Sequence, residues 1–476
     1  MIRNPRLLAS AAALVLLLSS FAASAASAEP AQQKPRPTNP SAGAVVPPLK
    51  FRERTLKNGL KVISSQDRAT PTVAIYVWYH VGSKDDPPNR SGFAHLFEHL
   101  MFKSTKNMKS EMLDRLTEDV GGENNAYTDA DVTVYHETVP SNYLETLLWA
   151  EAERMVNLNV DQANFASERD VVKEEFRQSV LAPPYGRLGW LTENLSYVKH
   201  PYRRPTIGSI EDLSAASLED VRKFYRTFYR PDNATLVVVG DFDPQQLDAW
   251  VDKYFGRIPK PAAKMPRVTV KEPPRKAEKR YNETSPNVPL PAVVATYLTP
   301  GIASRDADAL QVLDVILSGG ESSRLYRSLV YEQQVAAEAY SYANLNRDAG
   351  LLVVGVIAAG GKALADGEKA AFAEIEKLRS RPVTTAELAK AKNRVITDVL
   401  RSRETNDGRA QALGAASVLL GDTNRVNTDV ARLQAVTAAD VQRVARTYLS
   451  PTNRVVIRYT AAPQTPSASK KGGAAR

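Results

Sequence analysis

His95, Glu98 and His99 lie within the stretch RSGFAHLFEHLMFKST, at the spacing of a metal site that carries its own base. On a helix, His95 and His99 stand at i and i+4 and point the same way, so both imidazoles can bind one ion. Glu98 stands three residues after His95, where its carboxylate can take a proton from water activated by that ion without being a ligand itself. The run from Phe93 to Phe102 is otherwise apolar. Carrying three polar side chains into such a setting is expensive unless something is bound. A lone histidine on an apolar helix is more often a satisfied core residue than a ligand, but three polar residues at this spacing point to an ion. Two imidazoles leave a catalytic zinc one protein ligand short.

The third ligand has few sources. The chain has no cysteine, which excludes thiolate ligands and disulfides together. His80, His136 and His200 read as lying on a strand, a strand and a loop, with no partner motif. Carboxylates are the better place to look. ASERDVVKEEFRQSV, from Ala166, reads as a helix with Glu168 and Glu175 on one face beside Val171 and Val172. Glu174 is rotated ~100° from Glu175 by helix geometry. A carboxylate on the valine face is buried and available, whereas one off that face meets water.

These elements sit in a chain of 476 residues, too long for one ordinary core. Residues 1–28 have a basic start at Arg3 and Arg6, an apolar stretch from Leu7 to Phe21 and an Ala26-Ser27-Ala28 ending, which reads as a cleaved signal peptide. The expected location is therefore the periplasm or the exterior, with no stable membrane span after cleavage. A Pro/Ala-rich disordered spacer at 29–49 precedes a first domain at 50–256, a basic Pro-rich linker at 257–280, a second domain at 281–460 and a disordered tail at 461–476. The formal charge of +9 falls to +7 without Arg3 and Arg6, and part of the rest lies in the tail and linker. The linker holds nine Lys/Arg against two Glu and reads as solvated, unfolded chain. The basic balance is thus no nucleic-acid footprint.

The two domains read as copies. Asp220, Val221, Arg226, Thr227, Pro231 and Asn233 recur as Asp440, Val441, Arg446, Thr447, Pro451 and Asn453, all at an offset of 220. Each set reads as a Ser- or Thr-capped helix, a Pro-containing turn and a β-branched strand. The openings agree as well: TVAIYVWYHVG leads to HLFEH, and AVVATYLTP leads to DALQVLDVILSGG. The second copy offers only Asp314 where the first has its polar set, so one zinc per chain is expected.

An HxxEH motif, followed after 75 residues by a glutamate set in ERxVVxxE, resembles the pitrilysin or insulinase family of inverted zinc peptidases, and within it the bacterial relatives of mitochondrial processing peptidase. The resemblance implies an α+β fold of two duplicated α/β sandwich domains, each a mostly antiparallel sheet covered by helices, together forming half of a peptidase chamber. It implies zinc ligands His95, His99 and Glu175, the base Glu98, and Glu168 as the group that orients a ligand. GGENNAYTDADVTVYHETVP is similar to the family's substrate-accepting edge strand, with Asn125, Ala126, Tyr127 and Thr128 against the peptide. Tyr127 to Val139 alternates as an edge strand should.

In one respect the chain departs from the family pattern. The second domain of active members carries an Arg and a Tyr seven residues apart, and here these positions fall on Val330 and Ala337. The resemblance then implies the metal-bearing subunit of a heterodimer whose partner supplies the Arg/Tyr pair. The competing arrangement is a homodimer, or a monomer that clamps with its own two halves and finds its donors on other residues such as Tyr340 or Arg324. The expected function is zinc-dependent hydrolysis of short or unfolded peptides. The alternative is a non-catalytic assembly or peptide-binding subunit that keeps the fold.

Overall fold

Two β-sheets built on one plan carry the fold of the computed structural model, which describes residues 46–463. The signal segment, nearly all of the 29–49 spacer and nearly all of the 461–476 tail lie outside the described residues. The first sheet contains β1 (Arg52–Thr55), β2 (Lys61–Gln66), β3 (Thr72–Tyr79), β4 (Glu123–Thr128), β5 (Thr133–Pro140) and β6 (Ala234–Gly240), in the order β1-β2-β6-β3-β5-β4. The second contains β7 (Lys279–Ser285), β8 (Ala292–Pro300), β9 (Ala336–Leu345), β10 (Ala349–Ala358) and β11 (Arg454–Ala461), in the order β7-β11-β8-β10-β9. Each has one parallel pair, β2 with β6 and β7 with β11, and is otherwise antiparallel. The second sheet thus repeats the first without a counterpart of β1. This is the α+β architecture expected.

Six helices bear on the site, the repeat and the contact between the halves: α1 (Phe93–Leu100), α2 (Gln162–Phe176), α3 (Leu218–Phe228), α4 (Ala307–Ser318), α5 (Asn406–Val418) and α6 (Ala438–Tyr448). The repeat extends to single hydrogen bonds. Ser217 and Asp220 form a capping box at the start of α3, and Thr437 and Asp440 form one at the start of α6. The Pro turns follow at Pro231–Asn233 and Pro451–Asn453. In each, the asparagine amide donates back to the carbonyl five residues earlier, Asn233 to Phe228 at 2.9 Å and Asn453 to Tyr448 at 2.6 Å. Each amide also reaches the preceding strand region, at His80 O and Leu298 O.

Strand alternation divides the burial. On β3, Val73, Ile75, Val77 and Tyr79 face the helices of their own half, α1 among them. Ala74, Tyr76 and Trp78 face the other way and pack with Ala410, Leu413 and Ala416 of α5, a helix of the second half. Gly414 allows that approach, because a Cβ there would lie 2.1 Å from Trp78 Nε1. Polar contacts close the same seam: Tyr76 OH donates to Asp407 at 2.6 Å, and Lys84 pairs with Asp131 at 2.7 Å and Asp348 at 2.8 Å.

The 257–280 segment corrects the expectation of unfolded, solvated chain. It has almost no regular structure, yet its charged side chains fasten it to both halves. Arg267 donates to His80 O and Asn233 Oδ1, and Glu272 accepts from the backbone N–H groups of Val198, Lys199 and His200. Arg275 donates to Ser196 O, Thr296 O and Asn453 O at 2.6, 2.7 and 3.1 Å. Basic residues here donate to backbone carbonyls of both halves.

Candidate metal centre

α1 lies on the first sheet through Phe93, Ala94, Leu96, Phe97 and Leu100, all buried. That leaves His95, Glu98 and His99 on the opposite side, toward α2. The helix start is fixed by Asp86, whose buried carboxylate accepts from Gly92 N at 2.7 Å and Ala94 N at 2.9 Å. Burial pushes the Asp86 carboxyl up to about 7 even against those two donors. Asp212 holds the preceding residue by accepting from the Ser91 N–H and hydroxyl. Gly92 has φ of +91°, and a Cβ there would sit 2.9 Å from Ile207 O, so glycine is required where the chain enters α1.

α2 starts at Asp161, which caps Asn164 N, and brings Glu168 and Glu175 to α1. Ligating atoms of His95, His99 and Glu175 all lie within 4.8 Å of one another. Glu175 Oε2 is 3.7 Å from His95 Nε2 and 3.4 Å from His99 Nε2. Glu168 Oε2 faces the other nitrogen of His99, Nδ1, at 3.5 Å. Glu174 turns outward to Arg177 at 3.1 Å. Of the two valines placed on the carboxylate face, Val172 is fully buried but Val171 is 47% exposed, which corrects that pairing. α2 therefore has one narrow buried stripe.

The electrostatics suit a cation. Burial lowers the His95 pKa and keeps that ring neutral, with a lone pair to donate. Burial also opposes a charged His99, but hydrogen bonding to Glu168 and Glu175 overrides it and raises the pKa to about 9. Burial opposes ionised Glu175 and Glu168 too, yet His99 and, for Glu168, Lys103 hold both below the usual carboxylate range. Glu98 Oε2 is buried with no hydrogen-bond partner, an acceptor left over for a proton donor such as water. Two imidazole nitrogens, one carboxylate oxygen and an unpaired base beside them fit zinc with an open coordination position.

β4, the strand expected to take the peptide, lies at the sheet edge, but it is shorter than the alternating run. Tyr127 to Val139 is no single strand. It turns at Asp129–Val132, where Asp129 N donates to Val132 O, and β4 and β5 form a hairpin. β4 packs beside α1. Asn125 is exposed on the edge, and its Oδ1 accepts from the Ala126 N–H at 2.8 Å, so the side chain occupies a backbone donor that the sheet does not use. Thr128 contacts Thr133. Tyr127 differs from the expectation, because its hydroxyl meets Gln411 of α5 and its ring stands edge-on to Trp78. Its side chain belongs to the seam.

Val330 lies on a π-helical turn, Tyr326–Glu332, and is partly buried against the second core, while Ala337 is exposed on β9. Neither carries a donor. Arg324 is committed to Glu387 through two contacts of 2.8 and 3.2 Å. Tyr340 is half-buried, with its ring against Gly355. The contacts that define the surroundings of α1 come from β4, β5, α2 and α3, all of the first half. Asp86 and Lys103 escaped the reading of the motif. Asp86 lies six residues before Gly92, too far for a helix-cap pattern, and Lys103 looks like an ordinary lysine after a helix end.

Comparison with known proteins agrees with this architecture. Residues 61–197 match the family described as Insulinase (Peptidase family M16), and residues 215–395 match that described as Peptidase M16 inactive domain. The zinc protease PqqE of Helicobacter pylori is 32% identical over 413 residues, 86% of this chain and 92% of that protein. A probable mitochondrial-processing peptidase subunit beta of Arabidopsis thaliana is 24% identical over 425 residues, 87% of this chain and 79% of the relative. The crystal structure of a protease from Helicobacter pylori superposes with a TM-score of 0.83 at 31% identity, covering 86% of this chain and 99% of that one. No helix among the described residues is long and apolar enough to cross a membrane.

Proposed function

Because this chain belongs to the insulinase family of peptidases, family M16, we propose that it is an exported zinc-dependent endopeptidase acting on short or unfolded peptides. One observation carries the reading: His95, His99 and Glu175 converge within 4.8 Å, with Glu98 Oε2 on the same helix buried and unpaired. Zinc held there supplies a Lewis acid that activates water and polarises the scissile carbonyl. Glu98 takes the proton of the attacking water and delivers it to the leaving amine. The peptide lies along β4 as an added strand and takes over the Ala126 N–H from Asn125 Oδ1. Glu168 holds the His99 ring through Nδ1.

The family's two donor positions in the second half bring no side-chain oxyanion donor, since Val330 and Ala337 are aliphatic, and Arg324 is engaged by Glu387. One missing donor typically costs ~10²–10³ in rate. The active species is therefore a heterodimer with a second family member that brings an Arg and a Tyr to those places. The same absence is what favours the second reading, a non-catalytic peptide-binding subunit. Peptide cleavage by the purified chain, with and without such a partner and alongside metal content, separates the possibilities. The expected result is about one zinc per chain, weak cleavage alone and strong cleavage with the partner. High activity alone would remove the heterodimer, and zinc binding without cleavage in either sample would leave the non-catalytic reading.

A further inference from the structure

Glu168 stands beside His99 in the company of Lys103. Lys103 Nζ lies 2.7 Å from Glu168 Oε1, Ser167 Oγ donates to the same oxygen at 3.1 Å, and Oε2 is turned to His99 Nδ1. The Glu168 side chain is only 7% exposed, so its charge has to be met from within the protein. Lys103 is no free surface lysine. Its backbone N–H donates to Leu100 O at 3.0 Å, at the end of α1. The residues after it are tied to the approach to α2: Asn159 Nδ2 donates to Ser104 Oγ at 3.1 Å and Thr105 O at 2.8 Å, and Asn159 N donates to Ser104 O at 2.9 Å. One short loop thus presents the cation that fixes a carboxylate on α2, and that carboxylate meets an imidazole on α1.

We propose that Lys103 is a positioning residue of the metal centre, acting through Glu168 to keep the His99 ring turned with Nε2 toward Glu175 and thereby setting zinc affinity. The inference rests on the reading of His95, His99 and Glu175 as zinc ligands. Without Lys103 the buried carboxylate has lost its countercharge and its main anchor, Ser167 alone remaining on Oε1. It no longer holds one orientation, and His99 loses the group that aims it. Partners at this remove typically change metal affinity by ~10–100-fold.

The test is the zinc dissociation constant of the full-length metal-free chain, read by competition with a chromophoric chelator at fixed pH and salt. Lys103→Met should weaken binding by about 10-fold or more. Lys103→Arg should recover most of it, because a guanidinium can reach the same oxygen. Glu168→Gln should weaken binding too, and adding Lys103→Met to it should change nothing further, since contacting residues that act through one another are not additive. A structural role alone would show neither the rescue nor the non-additivity. Unchanged affinity in Lys103→Met, or a full additive loss in the double variant, overturns the inference. If His95→Ala binds zinc as tightly as the unsubstituted chain, the ligand assignment has failed and takes the inference with it.

Discussion

Glu98, Glu175 and Glu174 differ in what they face, and so should differ under the same substitution. Glu98→Gln keeps the shape but cannot accept a proton. Peptide turnover should fall by ~10² or more with zinc content unchanged; near-normal turnover would mean that another group is the base. Glu175→Gln replaces a charged oxygen that meets both Nε2 atoms and should lower zinc content after dialysis. Glu174→Gln, directed at Arg177, should leave it unaltered. The i,i+4 spacing was enough to bring the two imidazoles together, because one turn of any regular helix does so. Choosing between Glu168 and Glu175 was beyond periodicity, since both lie on one face of α2. The distinction is that Glu175 is level with the Nε2 atoms and Glu168 with Nδ1, a matter of how two helices are set against each other. Lys103 and Asp86 were illegible for a related reason, as their partners are fixed by loop paths that no sequence period records.

Elements were legible where a local rule generates them. The capped helix, Pro turn and strand at 217–240 and 437–461 follow from nearby residues, and they reappear in both sheets. The β4–β5 turn was hidden because Asp129–Val132 interrupts an alternation without glycine or proline. The 257–280 strap was misread because composition tells how a segment would behave alone, whereas Arg275 finds carbonyls from three separate parts of the fold. Arg275→Ala leaves those acceptors without a charged donor and should destabilise the protein by about 2–3 kcal/mol. Urea unfolding measures this, and a midpoint equal to that of the unsubstituted protein would show the strap to be energetically idle.

At the scale of the molecule, the seam between the halves should respond to acid. His80 lies there, with Nε2 3.1 Å from Val418 O of α5. Burial, reinforced by Arg347 and Arg267, lowers its pKa from 6.5 to about 4. The fold thus prefers neutral His80, and its contribution is whole above the unfolded value and lost as pH falls from 6.5 toward about 4. His80→Gln keeps a donor and removes the titration, so its stability should decline less steeply over that window in urea unfolding. Parallel acid limbs for both proteins would exonerate His80.

The packing of α5 against Trp78 also bears on what the duplicated half contributes. The second half lacks the polar set of α1, yet it provides the apolar cover for the back of the first half's sheet. Changes at Gly414 and Leu413 should therefore disturb the first half although both lie with the seam rather than with α1. The first half expressed by itself would present Tyr76, Trp78, Val134 and Val237 to water, so it should be recovered as aggregate. A mutational scan scored purely on soluble yield should accordingly rank Gly414 among the least replaceable positions, alongside the core beneath α1.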